Sequence, residues 1–384
     1  MNIFTSQEKQ KREFVPLTDK KVLLYVCGIT PYDTTHLGHA FLYNFFDTAK
    51  RYLEYKKFEV NYTQNVTDID DDLLKRAKKD NVNWQELGTT WTRRYLNDLI
   101  ALNIAPPTNY IKATDSIPEI VEIVSHLQSI NKAYEKDGTV YFDVTKFASY
   151  GALSGFSEEE MLVLSKERGA NPDDTKKKNK LDFVLWQKSL PDEPSWDSPW
   201  GKGRPGWHIE CSAMIHKTLG AQIDIHGGGF DLIYPHHESE IAQSESFTGK
   251  HPFTGYFMHV GMLRYKEEKM SKSLGNLVLV KDMLEKHSNN AIRWLLLSHH
   301  YRYEWEYFDH LIEDAQGEVD LLLSFAKTDM KFEENYGLLE KFEKLMDDDF
   351  NTPDVLVLLK ESSSNPNNAS TVFKIMTTLG FVIQ

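Results

Sequence analysis

The feature that most constrains this chain is a pair of short elements about 230 residues apart, His36-Leu37-Gly38-His39 and Lys269-Met270-Ser271-Lys272-Ser273. The first follows an apolar run at residues 22–26, which reads as a buried strand. It precedes Phe41, Phe45, Phe46 and Ala49 at helical spacing. Two imidazoles and a glycine at a strand-to-helix turn suit a nucleotide. Gly38 lets the backbone approach closely, while the imidazoles and the helix N-terminus meet phosphate charge. The second element offers two lysines three apart, followed by Gly275-Asn276. It can clamp phosphates whose charge grows as a bond to α-phosphorus forms. Singly, each tetrapeptide also fits a bland reading as turn histidines or a solvated lysine loop. Together they point to one phosphate cradle drawn from both ends of the chain.

Composition narrows the classes further. At 384 residues the chain has room for two or three domains and a large core. No apolar run is long enough to cross a bilayer, and residues 1–13 are polar rather than signal-like, so a cytoplasmic location without a membrane partner is expected. A net charge of −13 supplies no general attraction for a polyanion. The two cysteines, Cys27 and Cys211, allow one disulfide by count, but in an intracellular chain they fit metal binding or catalysis better.

Cys27 ends the first apolar run. Cys211 follows Gly203-Arg204-Pro205-Gly206-Trp207-His208-Ile209-Glu210. A third group lies in Pro235-His236-His237-Glu238-Ser239-Glu240, where His236 and Glu240, four apart, share a helix face. Cys27, Cys211 and His236, with Glu240 as the fourth candidate, make a tetrahedral zinc set of borderline softness. The alternative is two buried thiols and a capping histidine. Because Cys27 lies within ten residues of the nucleotide histidines, a zinc there could bind a substrate rather than only hold the fold.

These motifs resemble the class I adenylate-forming ligases. The whole chain resembles their cysteine-activating branch, which contains cysteinyl-tRNA synthetase and the cysteine ligase of mycothiol biosynthesis. The residues that carry the likeness are Tyr25-Val26-Cys27-Gly28, Gln64-Asn65-Val66-Thr67-Asp68-Ile69-Asp70-Asp71, the stretch 203–211, and Gly227-Gly228-Gly229-Phe230-Asp231. The resemblance implies an α/β fold: a Rossmann-type class I synthetase catalytic domain with an inserted connective domain and a C-terminal helical bundle. It implies catalytic roles for His36, His39, Lys269 and Lys272. The nucleotide would lie against Gly28, Thr30, Gly38, Asn65, Thr67, Trp207, Gly229, Asp231, Met270 and Ser271, with Asp231 on the ribose. Zn2+ on Cys27, Cys211, His236 and Glu240 would hold the substrate cysteine and refuse serine, with ATP as substrate and Mg2+ beside it.

Finer matches bring the mycothiol ligase forward. These are Gly28-Ile29-Thr30-Pro31-Tyr32-Asp33, Thr35 to the histidine turn, Gly275-Asn276-Leu277-Val278-Leu279-Val280, Glu167-Arg168-Gly169-Ala170-Asn171-Pro172, and His300-Tyr301-Arg302 followed by Trp305-Glu306. Glu240 and Leu42 stand against it, since that ligase usually has a small residue and a threonine there. The first expectation is therefore ligation of L-cysteine to the amine of glucosaminyl-inositol through cysteinyl adenylate, releasing AMP and pyrophosphate. The alternatives are a cysteinyl-tRNA synthetase without its anticodon-binding domain, with tRNA as partner, and an inert zinc-binding paralogue.

Five segments are expected. Residues 1–75 hold the first half of the nucleotide domain and 76–195 the insertion, with helices near 84–102 and 117–127 and a strand near 139–144. The second half occupies 196–262, the lysine loop and junction 263–310, and a helical bundle 311–384, broken by a turn at 362–368. Residues 311–384 carry six lysines, no arginine and fourteen acidic residues, a balance of 6 − 14 = −8 that should repel RNA. The run Lys176-Lys177-Lys178-Asn179-Lys180 reads as a solvated loop.

Overall fold

The structure is a computed structural model that describes residues 1–270, 275–327 and 333–383. The chain runs through β1 (Lys21–Ile29), α1 (Leu37–Tyr55), β2 (Glu59–Val66), α2 (Asp71–Asp80), α3 (Trp84–Ala101), β3 (Asn109–Lys112) and α4 (Ile117–Ser129). An insertion follows, with β4 (Ala133–Lys136), β5 (Thr139–Phe142), α5 (Glu158–Glu167), β6 (Phe183–Lys188) and β7 (Gly203–Pro205). The chain then returns through α6 (Trp207–Thr218), β8 (Ile223–Gly229), α7 (Glu238–Thr248) and β9 (Thr254–Val260).

Five strands form a parallel sheet in the order β9-β8-β1-β2-β3. β1 sits in the middle, and Val22, Leu24, Tyr25 and Val26 are all buried. That is why the run is continuously apolar rather than alternating. From β1 the chain first steps outward to β2 and β3, then returns to add β8 on the other side. The strand order therefore reverses between β1 and β8, and their carboxyl ends, near Cys27 and Gly229, open the crevice in which such sheets bind ligands. α1 covers one face, where Phe41, Phe45, Phe46, Ala49 and Tyr52 join a core shared with the C-terminal helices. α4 and α6 cover the other face, in a second core that extends into the insertion.

The insertion has its own antiparallel sheet, β4-β5-β6-β7. Here the structure shifts an expected boundary. Gly203–Pro205 pairs with β6, Trp186 opposite Pro205, so the second half of the nucleotide domain resumes at Trp207 rather than at 196. Pro205 is tolerated because β7 is an edge strand. Residues 2–13, expected within the nucleotide domain, form a separate hairpin of Asn2–Thr5 and Gln10–Glu13. The lysine run lies in an irregular segment with Lys176, Lys178 and Lys180 exposed, as a solvated loop would have them, and the Lys178 ammonium sits over the Tyr134 ring at 4.2 Å.

Past β9, strand Leu263–Tyr265 pairs with Glu268–Lys269 and Trp305–Glu306. The helical region comprises α8 (Asn289–Leu297), α9 (Asp309–Ala326), α10 (Tyr336–Met346), α11 (Thr352–Ser362) and α12 (Ala369–Thr378). The turn at 362–368 separates α11 from α12. Buried Arg293 ties α8 to α1 through Asp47 at 2.8 Å. No helix among the described residues is long and apolar enough to cross a membrane.

Candidate active site and metal centre

The histidine turn forms where expected. His36 is the N-cap of α1 with extended backbone, and the rings of His36 and His39 stack with centroids 3.8 Å apart. The segment after the lysine motif returns to this turn: Leu37 N donates to Val278 O at 2.8 Å and Val280 N to Thr35 O at 3.1 Å. The described residues that follow the lysine motif therefore lie beside the histidine turn. Lys272 and Ser271 lie outside the described residues, as does the side chain of Lys269. Met270 is buried, and its N–H donates to Leu263 O at 3.1 Å.

At the end of β1 the ladder to β2 is irregular between Val26 and Ile29. Gly28 N donates to Asn65 Oδ1 at 2.7 Å, and Asn65 Nδ2 donates to Thr67 Oγ1 at 3.3 Å. A Cβ on residue 28 would lie 1.6 Å from the Asn65 carbonyl oxygen, so only glycine fits. Asn65 and Thr67 are buried, and they shape the crevice by bonding this backbone. Thr30 accepts the Tyr32 N–H through its carbonyl at 3.1 Å. Gly229 and Asp231 lie across the crevice at the end of β8.

Beside them the four expected metal ligands converge, though Cys27 and Cys211 are 184 residues apart. Their sulfurs are 3.9 Å apart, His236 Nε2 is 3.4 Å from Cys211 Sγ, and Glu240 Oε1 is 3.8 Å from Cys27 Sγ. A tetrahedral zinc site predicts about 3.8 Å between sulfurs and about 3.5 Å between sulfur and nitrogen. His236 Nε2 and Glu240 Oε1, at 2.9 Å, keep a hydrogen-bond spacing. All four residues are buried, and one donor atom from each falls within 4.8 Å of the others. This donor set fits a zinc ion. The indole of Trp207 stacks on the His236 ring, 4.5 Å between centroids, and closes the site.

The cluster's protons are unevenly held. Burial pushes the Cys27 thiol well up. Burial also raises Cys211, but the hydrogen bond to Cys27 and the nearby His236 outweigh it and bring the thiol down to about 6. Burial opposes charge on His236, yet Glu240 and Cys211 raise it to about 10. Glu240, despite its burial, is held at about 2 by His226 and His236. Cys211 and Glu240 are thus held toward the anionic forms that a divalent ion requires, whereas His236 would have to give up its proton to bind one.

Sequence reasoning missed the histidines behind this set. His226 Nε2 lies 2.8 Å from Glu240 Oε2, His237 Nε2 lies 3.3 Å from Cys27 Sγ, and His208 Nδ1 lies 3.0 Å from His236 Nδ1. His237 Nδ1 is 2.8 Å from His259 Nε2, whose Nδ1 is 2.7 Å from Ser6 Oγ. Cys27, His226, His237 and Glu240 also approach within 4.8 Å of one another. The first set adds the second thiol, and its sulfur–sulfur and sulfur–nitrogen distances match those of tetrahedral zinc. The available signals were the adjacency of His237 to His236 and the place of His226 before three glycines.

Residues 13–317 match the family described as tRNA synthetases class I (C) catalytic domain. The chain is 46% identical over 375 residues to a cysteine–tRNA ligase of Carboxydothermus hydrogenoformans, covering 94% of this chain and 79% of that protein. It is 44% identical over 386 residues to a cysteine–tRNA ligase of Thermococcus onnurineus, covering 96% and 80%. The fold is similar to Mycobacterium tuberculosis methionyl-tRNA synthetase in complex with methionyl-adenylate, with a TM-score of 0.68, 15% identity, and coverage of 94% of this chain and 89% of that one. The fold thus has its counterpart among solved synthetases, and the chain belongs to the class I aminoacyl-tRNA synthetase family, in its cysteine-activating branch, as an AMP-forming amino-acid ligase.

Proposed function

We propose that this protein activates L-cysteine with ATP and transfers it to the terminal ribose of a tRNA. The observation that carries the reading is the Cys27, Cys211, His236 and Glu240 cluster at the crevice between β1 and β8, in a chain whose curated relatives are cysteine–tRNA ligases. Bound there, zinc would take the substrate side chain as a thiolate and discriminate against serine, whose hydroxyl is a poor, hard ligand. The chain's own residues do the rest. The stacked His36 and His39, at the N-terminus of α1, meet the phosphates. Asp231 faces the ribose side of the crevice. Lys269 and Lys272 add positive charge as the substrate carboxylate attacks α-phosphorus in line and pyrophosphate leaves, with Mg2+ on the phosphates. Alignment and charge stabilisation carry the rate, with no covalent intermediate on the protein. A ribose hydroxyl then attacks the adenylate carbonyl, forming an ester and releasing AMP.

Amide formation on glucosaminyl-inositol, the first expectation from sequence, rests on the matches at Thr30-Pro31 and residues 167–172. Two observations move the weight to tRNA. Glu240, the residue counted against the mycothiol ligase, points into the ligand cluster. Arg168, within the 167–172 element, contacts Asp231 on the nucleotide side rather than marking an acceptor pocket. The test is to supply ATP, cysteine and either tRNA or glucosaminyl-inositol. Cysteine on tRNA alone is expected; cysteine on glucosaminyl-inositol alone would restore the amide reading.

A further inference from the structure

The inserted segment does not merely flank the nucleotide domain. It runs along the stretch that carries Asp231, His236 and Glu240 and touches it at several points. Tyr150 Oη and Ser239 Oγ are 3.3 Å apart, Ser154 N donates to Glu238 Oε2 at 3.0 Å, and Ser165 Oγ and Tyr234 Oη are 2.9 Å apart. The last contact is Arg168 Nη1 to Asp231 Oδ2, at 3.3 Å.

Arg168 follows α5 directly as its C-cap, and α5 is started by a full capping box of Ser157 and Glu160. The guanidinium is therefore delivered from a helix with a defined end, not from a free loop. Asp231 is two residues past the end of β8, beside the point where strand order reverses, where a carboxylate can accept hydrogen bonds from ribose hydroxyls. Its two oxygens have different surroundings. Oδ2 faces Arg168, while a Cβ on residue 229 would lie 2.6 Å from Oδ1, so glycine there makes the room that Oδ1 occupies. Arg168 Nε is buried and makes no hydrogen bond among the described residues, so the guanidinium's donors are not all committed to holding the insertion.

We propose that Arg168 is a positioning residue for the nucleotide: it holds the Asp231 carboxylate turned to the ribose and offsets its charge beside the triphosphate. The inference rests on the reading that ATP lies between β1 and β8. It gives the 167–172 element a nucleotide-side role that does not depend on the acceptor. Losing the guanidinium removes the contact on Oδ2 and leaves less to offset the carboxylate's charge beside the polyanion. Ribose recognition should then fail before folding or metal binding does.

Equilibrium dialysis of the full zinc-loaded chain against ATP, 2′-deoxyATP and 3′-deoxyATP, without cysteine, tests this. The wild type should prefer ATP to at least one deoxy analogue by about tenfold or more, the scale of a hydrogen bond to a charged group. Arg168→Ala should reduce that preference to within about twofold, and Arg168→Lys should retain most of it. Arg168→Gln, which keeps the stem, carries the same expectation as the alanine variant should the latter not fold. Ser165→Ala, which loosens the neighbouring contact without touching Asp231, should leave the preference intact. Retention of the preference in both Arg168→Ala and Arg168→Gln, or equal loss in Ser165→Ala, would show that Arg168 only anchors the insertion. A wild type that binds ATP without discrimination would overturn this inference alone; one that binds no ATP would overturn the nucleotide reading with it.

Discussion

His226 Nε2 lies 2.8 Å from Glu240 Oε2, on the opposite carboxylate oxygen from the one that faces Cys27 and His236. Both side chains are fully buried. This is the arrangement by which a second residue aims a ligand: the imidazole occupies one oxygen and leaves the other for the metal. His226→Ala should weaken zinc affinity by about 10–100-fold, the usual effect of removing such a partner. Cys211→Ala should lose the metal and cysteine-dependent pyrophosphate exchange together. Competition with a zinc-sensitive chelator and metal analysis of the purified variants measure both. A wild type that stays fully active after its metal is stripped would refute the assignment.

The lysine motif should act on chemistry and not on the metal. Leu277, Val278 and Leu279, which follow the motif, lie beside the histidine turn, with Leu37 N on Val278 O at 2.8 Å. Lys269→Ala and Lys272→Ala should each lower the exchange rate by about 10²–10³-fold, roughly 2.7–4 kcal/mol, with zinc content unchanged. Unaltered exchange in both variants would remove the loop from the mechanism.

Buried Arg293 offers a stability test away from the site. Its guanidinium, 1% exposed, donates to Asp47 at 2.8 Å and to the carbonyls of Asn103 at 2.9 Å and Leu379 at 3.0 Å. It thereby ties α8 to α1 and to the chain just past α12. Arg293→Ala removes one of the two cations on buried Asp47, leaving Arg51 at 2.9 Å, and should destabilise the protein by about 1.5–3 kcal/mol, the scale of a hydrogen bond to a charged group. Asp47→Asn should cost less in that background than in the wild type, because one of the carboxylate's two cationic partners is already gone. Urea unfolding of the single and double variants gives the comparison, and additive losses would contradict it.

His300 makes acid stability testable. Burial, with Arg302 and Lys11 nearby, lowers it from an ordinary 6.5 to about 4. A depressed folded value favours the neutral ring. The contribution is therefore full above about pH 6.5 and is lost as the pH falls through 4. Asp349, 3.8 Å from the ring and raised by burial, acts in the opposite sense, so the wild type must be compared with a variant. His300→Gln should lose less stability than the wild type between pH 7 and pH 5. Parallel urea midpoints across that range for the two proteins would count against it.

Features encoded over a few residues were legible in the sequence. The buried run at 22–26, the helix after His39 and the turn at 362–368 each depend on neighbours in the chain. The i, i+4 spacing of His236 and Glu240 is of this kind too, since one helical turn puts both donors on one face. Long-range placement was not legible. Nothing near Gly203 says that it pairs with β6, because a three-residue edge strand takes its hydrogen bonds from a partner the local pattern does not name. His226, His237 and His259 read as ordinary strand and turn residues, and only packing β8, α7 and β9 together turns them into supports for Glu240 and Cys27. Asn65 read as a ligand contact, yet its side chain holds the Gly28 backbone.

By itself, the sequence determined the chemistry available to this protein: two imidazoles before a helix, two thiols, a histidine–carboxylate pair and a lysine segment. Tertiary structure decided which of these groups meet. Cys27 and Cys211 are 3.9 Å apart only because β1 and α6 pack on the same sheet, and Arg168 reaches Asp231 only because the insertion folds back along that loop. Contacts across such separations carry a loop-closure cost that local patterns cannot reveal, and it is met by burying the two cores on either side of the sheet.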